Sequence, residues 1–455
     1  MTKDLTKGSP LKLIILFTIP LIIGNIVQQL YNTVDTIIVG QTIGYFALSS
    51  VGLTGSLVFL VIGFAQGLTA GFSIITAQRF GNKDMEGVKK SVASTYILSF
   101  FANIFITLLS VYLTSWMLHT IQTPDNLYSD AYKYIIVIFW GTGAAILFNM
   151  YSSMLRAVGN SRFPLYILII ASIINVILDF VFILYFQMGV AGAGFATVIS
   201  QLIPSIICFI YIKRNIPELI ISKEHWKVDI KELWEHLRLG IPMGVQVIVI
   251  AVGIIILQWA VNRLGPIAVG AFTIAQRIDM LAVQVLISFG VTMATYTAQN
   301  YGIKNIIRIK EGVYQGTLIA VSISVFFGVL IYATSDWSIK VFISKEIIST
   351  EETKQIVEIV KTYLKVNCSM FFVLALLIIF RSALQGLGNG FIPTLAGVVE
   401  LLMRTTSAVY LPIYFGYTGL AWVHPSAWVG AFISVIIAYI YIMTKLTREY
   451  HYKYN

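Results

Sequence analysis

Two aspartates, Asp35 and Asp179, stand inside long apolar runs of this chain. An ionisable side chain in such a run is costly and marks an ion or substrate pathway by default. On a helix, Gln28, Asn32 and Asp35 are spaced by four and three and share a face. Ser172, Asn175 and Asp179 repeat the pattern, and Thr197, Ser200 and Gln201 offer a third polar face. Two carboxylates, an amide and a hydroxyl form an oxygen-rich set that can hold a hard cation. Alternatively the two acids share a proton, because like charges held close disfavour double ionisation. The competing reading is that each Asp bonds only its neighbouring backbone.

The elements that must position these groups follow from composition. Of 455 residues, 57% are hydrophobic and 11% charged, less than half the roughly 25% charge of an average soluble domain. That excludes a soluble enzyme, a disordered chain and a disulfide scaffold, and leaves a polytopic membrane protein. Cys208 and Cys368 each lie in apolar runs without metal-ligand spacing. Residues 1–10 form a polar tail, and the apolar run after it is too long for the h-region of a cleavable signal peptide. A helix needs about 20 residues to cross the hydrocarbon core. Twelve runs qualify: 11–39, 50–76, 91–116, 131–154, 163–186, 191–212, 239–262, 268–297, 314–335, 361–384, 392–415 and 420–444. None alternates with period two, so the chain is expected to be all-α. At 1.5 Å per residue, Asp35, Asp179 and Thr197 all fall roughly 10–14 Å below one membrane surface.

Lys and Arg set the orientation. With the N-terminus cytoplasmic, twenty-two of them fall inside, Arg381 included, and seven outside. Five of those seven (Lys340, Lys345, Lys354, Lys361 and Lys365) share one outer loop with five acids, among them Glu346. Both termini are therefore expected in the cytoplasm, and topology accounts for the net charge of +10 without nucleic acid. The chain is also two copies of one unit. Ile19-Pro20 recurs as Ile241-Pro242; Ala77-Gln78, Gly81 and Lys83 recur 221 residues later. Tyr134, Ser153, Leu155, Gly159-Asn160 and Pro164 recur at an offset of 229. The expected architecture is two six-helix lobes, residues 1–213 and 239–455, joined by a charged cytoplasmic linker, residues 214–238. Such a repeat puts both lobes in one membrane orientation.

The acids are not part of the shared scaffold. Asp35 falls opposite Ile256 or Leu257, and Asp179 opposite Ala408. In the second half, Glu400 and Arg404 are spaced for a local ion pair, whereas Arg277 and Asp279 are expected to pair with other helices. Gly63, Gly67 and Gly71 form overlapping GxxxG units, which predict close helix packing. Pro20 and Pro242 predict kinks at equivalent places. The five histidines are scattered and read as structural or surface groups. Gln28, Gln66, Asn149, Gln246, Gln258 and Gln284 are candidates either for lining a cavity or for hydrogen-bonding between helices, with Asn32 joining Gln28 on its face.

These motifs carry a resemblance. PLIIGNIVQQLYNTVDTIIVG at 20–40, AQRFGNKD at 77–84, LRAVGNSRFP at 155–164, NVILDF at 175–180 and their second-half counterparts AQNYG and LQGLGNGFIP are similar to the MATE family, the multidrug and toxic compound extrusion transporters. The resemblance implies twelve helices and export of cationic amphipathic drugs in exchange for inward sodium ions or protons. It implies a first-lobe cation site at Asp35, Asn175, Asp179 and Thr197, with Asp35 and Asp179 as the sodium ligands if sodium couples. It places Gln28 beside the drug cavity, where Asn32, Asn149 and Gln66 are also expected. A branch with essential acids in helices seven and ten is not matched, since 239–262 and 361–384 hold none. The resulting expectation is a monomeric antiporter of the cytoplasmic membrane without a cofactor. The alternative is a flippase for lipid-linked or polyisoprenoid substrates from the same superfamily. A membrane enzyme or ATP-driven pump is disfavoured, because DDxxD, HExxH, GxSxG and GxxxxGK[ST] are all missing.

Overall fold

The computed structural model describes residues 3–342 and 351–454; Lys345 and Glu346 of the outer loop lie outside the described residues. The chain runs as α1 (Pro10–Thr42), α2 (Tyr45–Gly81), α3 (Met85–Thr120), α4 (Asp125–Trp140), α5 (Thr142–Ala157), α6 (Arg162–Asp179) and α7 (Gly189–Asn215). It continues as α8 (Ile230–Arg263), α9 (Pro266–Gly302), α10 (Ile306–Ala333), α11 (Ser335–Phe342), α12 (Glu351–Gly386), α13 (Phe391–Ala421) and α14 (Val423–Tyr454). No strand occurs among the described residues. Ten helices are long and apolar enough to cross a membrane alone, and the bent pair α4–α5 makes an eleventh. α13, whose apolar character is diluted by Glu400 and Arg404 and whose backbone breaks from helix at Gly416 (φ 54°, ψ −132°), occupies the place of the remaining expected span. α1 and α8 continue through Pro20 and Pro242.

Two of the expected spans have internal structure. Residues 131–154 are not one straight helix: α4 and α5 meet at 47°. Gly141 stands at the break with φ −85° and ψ 5°. A Cβ there would lie 2.1 Å from Val198 Cγ2, so α7 closes onto the missing side chain. The span 163–186 changes pitch after Asp179, where residues Phe180–Tyr185 form a π-helix.

The chain packs as two compact units. The first comprises Met1–Lys7, Ile15–Ile248 and Ala298–Ile303; the second comprises Gly8–Ile14, Val249–Thr297 and Lys304–Asn455. In the first, α2 lies against α3, α4 and α5, and α7 against α4, α5 and α6. The glycine stripe of α2 receives the start of α8. A Cβ at Gly63 would meet Val247 at 2.7 Å, at Gly67 the Met243 carbonyl at 2.6 Å, and at Gly71 the Gly240 Cα at 2.6 Å. At Gly67 and Gly71 only glycine permits this backbone approach. The segment joining the repeats is folded onto α3 rather than loose. His225 is buried there, bonding Glu86 through Nε2 at 2.9 Å and the Ser222 hydroxyl through Nδ1 at 2.6 Å. Arg79 clasps Glu232 at 2.9 Å and Glu235 at 3.2 Å, while His236 bonds Ser91 at 2.7 Å and donates to the Glu232 carbonyl at 2.8 Å.

In the second unit, α12 packs against α10, α13 and α14, and α13 against α14. Glu400 and Arg404 form the expected local pair at 2.7 Å. Arg381 corrects an expectation: it is not a cytoplasmic loop cation but a buried residue of α12, bonded to Glu400 at 2.7 Å. A carboxylate with two lone-pair faces in low dielectric accommodates a second guanidinium.

The repeat extends to backbone detail. Lys83 and Lys304 both adopt left-handed φ, at 59° and 55°, as do Gly159 and Gly388 at 81° and 84°. Asp84 and Asn305, the next residues, each cap the following helix by accepting from the N–H three positions on, at 2.9 and 3.0 Å. Asn160 and Asn389 do the same for Phe163 and Ile392 at 3.1 and 3.0 Å. Each such cap contributes about 1 kcal/mol.

Candidate cation site in the first unit

Asp35 and Asp179 come together. Asp35 of α1 is 8% exposed and Asp179, the last residue of α6, is 0% exposed, with their carboxyl groups in contact. Asn175, one turn before Asp179, is also 0% exposed. Asp35 Oδ1, both Asp179 carboxylate oxygens, and Oδ1 and Nδ2 of Asn175 are buried without a hydrogen-bond partner among the described residues. Leaving such atoms unsatisfied costs roughly 1–3 kcal/mol each. The reading in which each Asp bonds only nearby backbone is therefore not what the fold builds.

Thr197 of α7 stands at the rim and spends its hydroxyl proton on the Ala193 carbonyl at 3.0 Å, which leaves the oxygen free to accept. Two residues complete the cluster that the polar faces did not mark. The Tyr31 hydroxyl reaches Thr197 and Ser200 and lies within electrostatic range of both acids. Tyr134 of α4 is buried facing Asp35, Asp179 and Thr197. Tyr31 precedes Asp35 by four residues, a rotation of roughly 40° on the helix, whereas Asn32 lies roughly 60° away on the other side. Asn32 is accordingly exposed. A signal for Tyr134 existed: it survives in the repeat as Tyr363, which faces Asp279 in the second unit. There, as expected, Asp279 finds its partner on another helix; Arg277 is exposed.

The four expected cavity residues do not join this cluster. Gln66 is exposed, and Gln28 and Asn149 are half-buried, with the Asn149 amide donating to the Ala145 carbonyl at 2.9 Å. No hydrogen bond or ion pair connects Gln28, Asn32, Gln66 or Asn149 to the acids among the described residues. Ser172 likewise turns back to the Leu168 carbonyl at 2.9 Å.

Local structure focuses the site on Asp179. Immediately after it the π-helix opens, closing with Phe186 N–H donating to the Val181 carbonyl at 3.0 Å. Such insertions recur at functional positions of helices. The donor set is all oxygen apart from the Asn175 amide nitrogen, which suits a proton or a hard monovalent cation. Among the described residues no group of three or more His, Cys, Asp or Glu is gathered as a metal site.

Comparison with known proteins places this geometry in context. The MatE family model matches residues 20–181 and 242–410, one stretch in each repeat. The chain is 28% identical over 344 residues to the probable multidrug resistance protein YpnP of Bacillus subtilis, covering 75% of this chain and 76% of that one. It is 23% identical over 431 residues to the probable multidrug resistance protein NorM of Thermotoga maritima, covering 93% and 89%. A solved outward-facing structure of a multidrug resistance MATE family transporter superposes with a TM-score of 0.89 at 22% identity, covering 98% of this chain and all of that one.

Proposed function

The chain belongs to the MatE family of multi-pass membrane transporters, and we propose that it exports cationic amphipathic compounds in exchange for a sodium ion or proton loaded at Asp35 and Asp179. It is a transporter and not an enzyme. The observation that carries the reading is the contact between two buried carboxyl groups, three of whose four oxygens are buried without a hydrogen-bond partner among the described residues, with Asn175, Thr197, Tyr31 and Tyr134 around them. Two carboxylates this close repel each other unless a proton or a cation joins them. An incoming ion relieves that repulsion and draws α1 toward α6 and α7.

Transport follows from differential binding. An ion shifts the balance between outward- and inward-facing states only by as much as it prefers one of them. Loading from outside stabilises the state in which the cluster closes, and release to the cytoplasm resets it. Gln28, Asn32, Gln66 and Asn149 remain the proposed drug-cavity groups, apart from the ion site. The excess of Lys and Arg on the linker side supports cytoplasmic termini in the cell membrane. We assign no cofactor, and the functional unit is a monomer. A lipid flippase would call for basic groups to meet phosphate, whereas the intramembrane charge of the first unit is acidic.

The test is ethidium efflux from proteoliposomes under an imposed sodium gradient and, separately, an imposed pH gradient. We expect one gradient to drive efflux, and Asp35→Asn and Asp179→Asn each to abolish it while the purified proteins remain folded. Full export by both variants would remove the site from the mechanism.

A further inference from the structure

In the second unit, α10 and α14 both pack on α12, and on one side they leave a groove between them floored by Phe380. Its volume is about 360 Å³, within the roughly 300–1,000 Å³ of small-ligand sites. Both walls belong to helices long and apolar enough to cross a membrane. From α10 it takes Lys310, Val313, Tyr314 and Thr317, a single stripe with spacings of three, one and three.

The groove is graded along its length. Toward the start of α10 and the C-terminal part of α14 the lining is polar: Lys310 and Thr444, both exposed. Tyr314 lies one turn deeper than Lys310 and Met443 one residue deeper than Thr444; deeper still are Thr317, Phe380 and Tyr439, the two rings packed edge-to-face at 4.9 Å. Lys310 to Thr317 spans seven residues, or roughly 10 Å of membrane depth. Lys445, outside the lining itself, is exposed and follows Thr444 in α14. The nearby Glu311 accepts from Gln315 at 3.1 Å along its own helix.

We propose that this groove is a binding site for one anionic phospholipid, with an acyl chain between α10 and α14 and the phosphate at Lys310 and Lys445. The apolar floor takes the chain, and the graded end meets ester, phosphate and water in the order in which a phospholipid presents them. A zwitterionic lipid fits the same floor but brings its own cation to the lysines, so charge discriminates at the mouth. A juxtamembrane Lys strengthens the attraction of anionic lipid about fivefold.

Native mass spectrometry of delipidated full-length protein, titrated with phosphatidylglycerol or phosphatidylcholine of identical chains, tests the assignment. We expect one lipid retained per chain, with phosphatidylglycerol held at least fivefold more tightly. Lys310→Gln should remove most of that preference and leave phosphatidylcholine binding unchanged. Thr317→Phe, which fills the inner end, should weaken both lipids alike. Equal retention of the two lipids by the wild-type protein, or an unchanged preference in Lys310→Gln, would overturn the proposal and leave only non-specific annular lipid.

Discussion

Replacing Glu400 with Gln tests how the second unit tolerates charge in its interior. Glu400 is 6% exposed, Arg381 8% and Arg404 4%, and both guanidinium contacts are 2.7 Å long. The Gln amide keeps the shape and one acceptor oxygen, but its NH₂ must face one of the two guanidiniums. Two buried cations then lose their shared counter-charge. Breaking a buried pair by removing one partner costs about 3–5 kcal/mol, against a total of roughly 5–15 kcal/mol for a folded domain. At roughly 2–4 °C per kcal/mol for a unit of this size, thermal unfolding in detergent should shift down by about 6–20 °C. The companion variant replaces Arg381, Glu400 and Arg404 together with Met. Removing every charge at similar volume is often neutral or stabilising, so this triple variant should unfold near the wild-type temperature. A Glu400→Gln shift under about 2 °C, or a triple variant as unstable as the single one, would refute the triad as a desolvated ionic unit.

Other outcomes follow from the packing. Gly67→Leu forces a side chain into the Met243 carbonyl and should cost about 1–3 kcal/mol by overpacking, read as lower folded yield and melting temperature. Gly55→Ala on the same helix meets nothing within 4 Å and should be stabilising by up to about 1 kcal/mol. Asn160→Ala and Asn389→Ala remove equivalent caps, so each should lower stability by about 1 kcal/mol in thermal unfolding, and unequal losses would show that the repeat is not energetically matched.

The fold was legible because twelve apolar runs of spanning length leave a chain no other way to satisfy its backbone in lipid. The repeat was legible because its punctuation is local: Lys83 and Lys304 need a left-handed turn, and Asn160 and Asn389 need to cap. The meeting of Asp35 with Asp179 was legible from matched depth together with the polar helix faces that carry the two acids. What failed to show has a common cause, namely packing between helices. The bend at Gly141 depends on Val198 of another helix, and the π-helix after Asp179 leaves no periodicity in the apolar run. Tyr31 and Tyr134 were hidden among 24 tyrosines, most of which any membrane protein could carry in its apolar or interfacial belt. Asn32 stays out of the acid cluster because a spacing of three turns its side chain roughly 60° from Asp35 on the helix, and it is exposed. Arg381 was misread because a charge five residues from a helix end resembles a loop residue until its partner is known.

The two halves share caps and turns, yet the adjoining acid pair belongs to one of them; Ile256 or Leu257 and Ala408 stand in the other. The difference is electrical. On the proposed mechanism, each cycle has one dicarboxylate to discharge, and its ion count fixes what membrane voltage can do. One monovalent ion exchanged for one monovalent drug moves no net charge, and such a carrier is indifferent to potential. Two protons for one drug carry a surplus charge inward, and each elementary charge draws about 2.3 kcal/mol per 100 mV. Duplicating the scaffold without duplicating the acids therefore caps the stoichiometry, and with it the steepness of the gradient against which export can run.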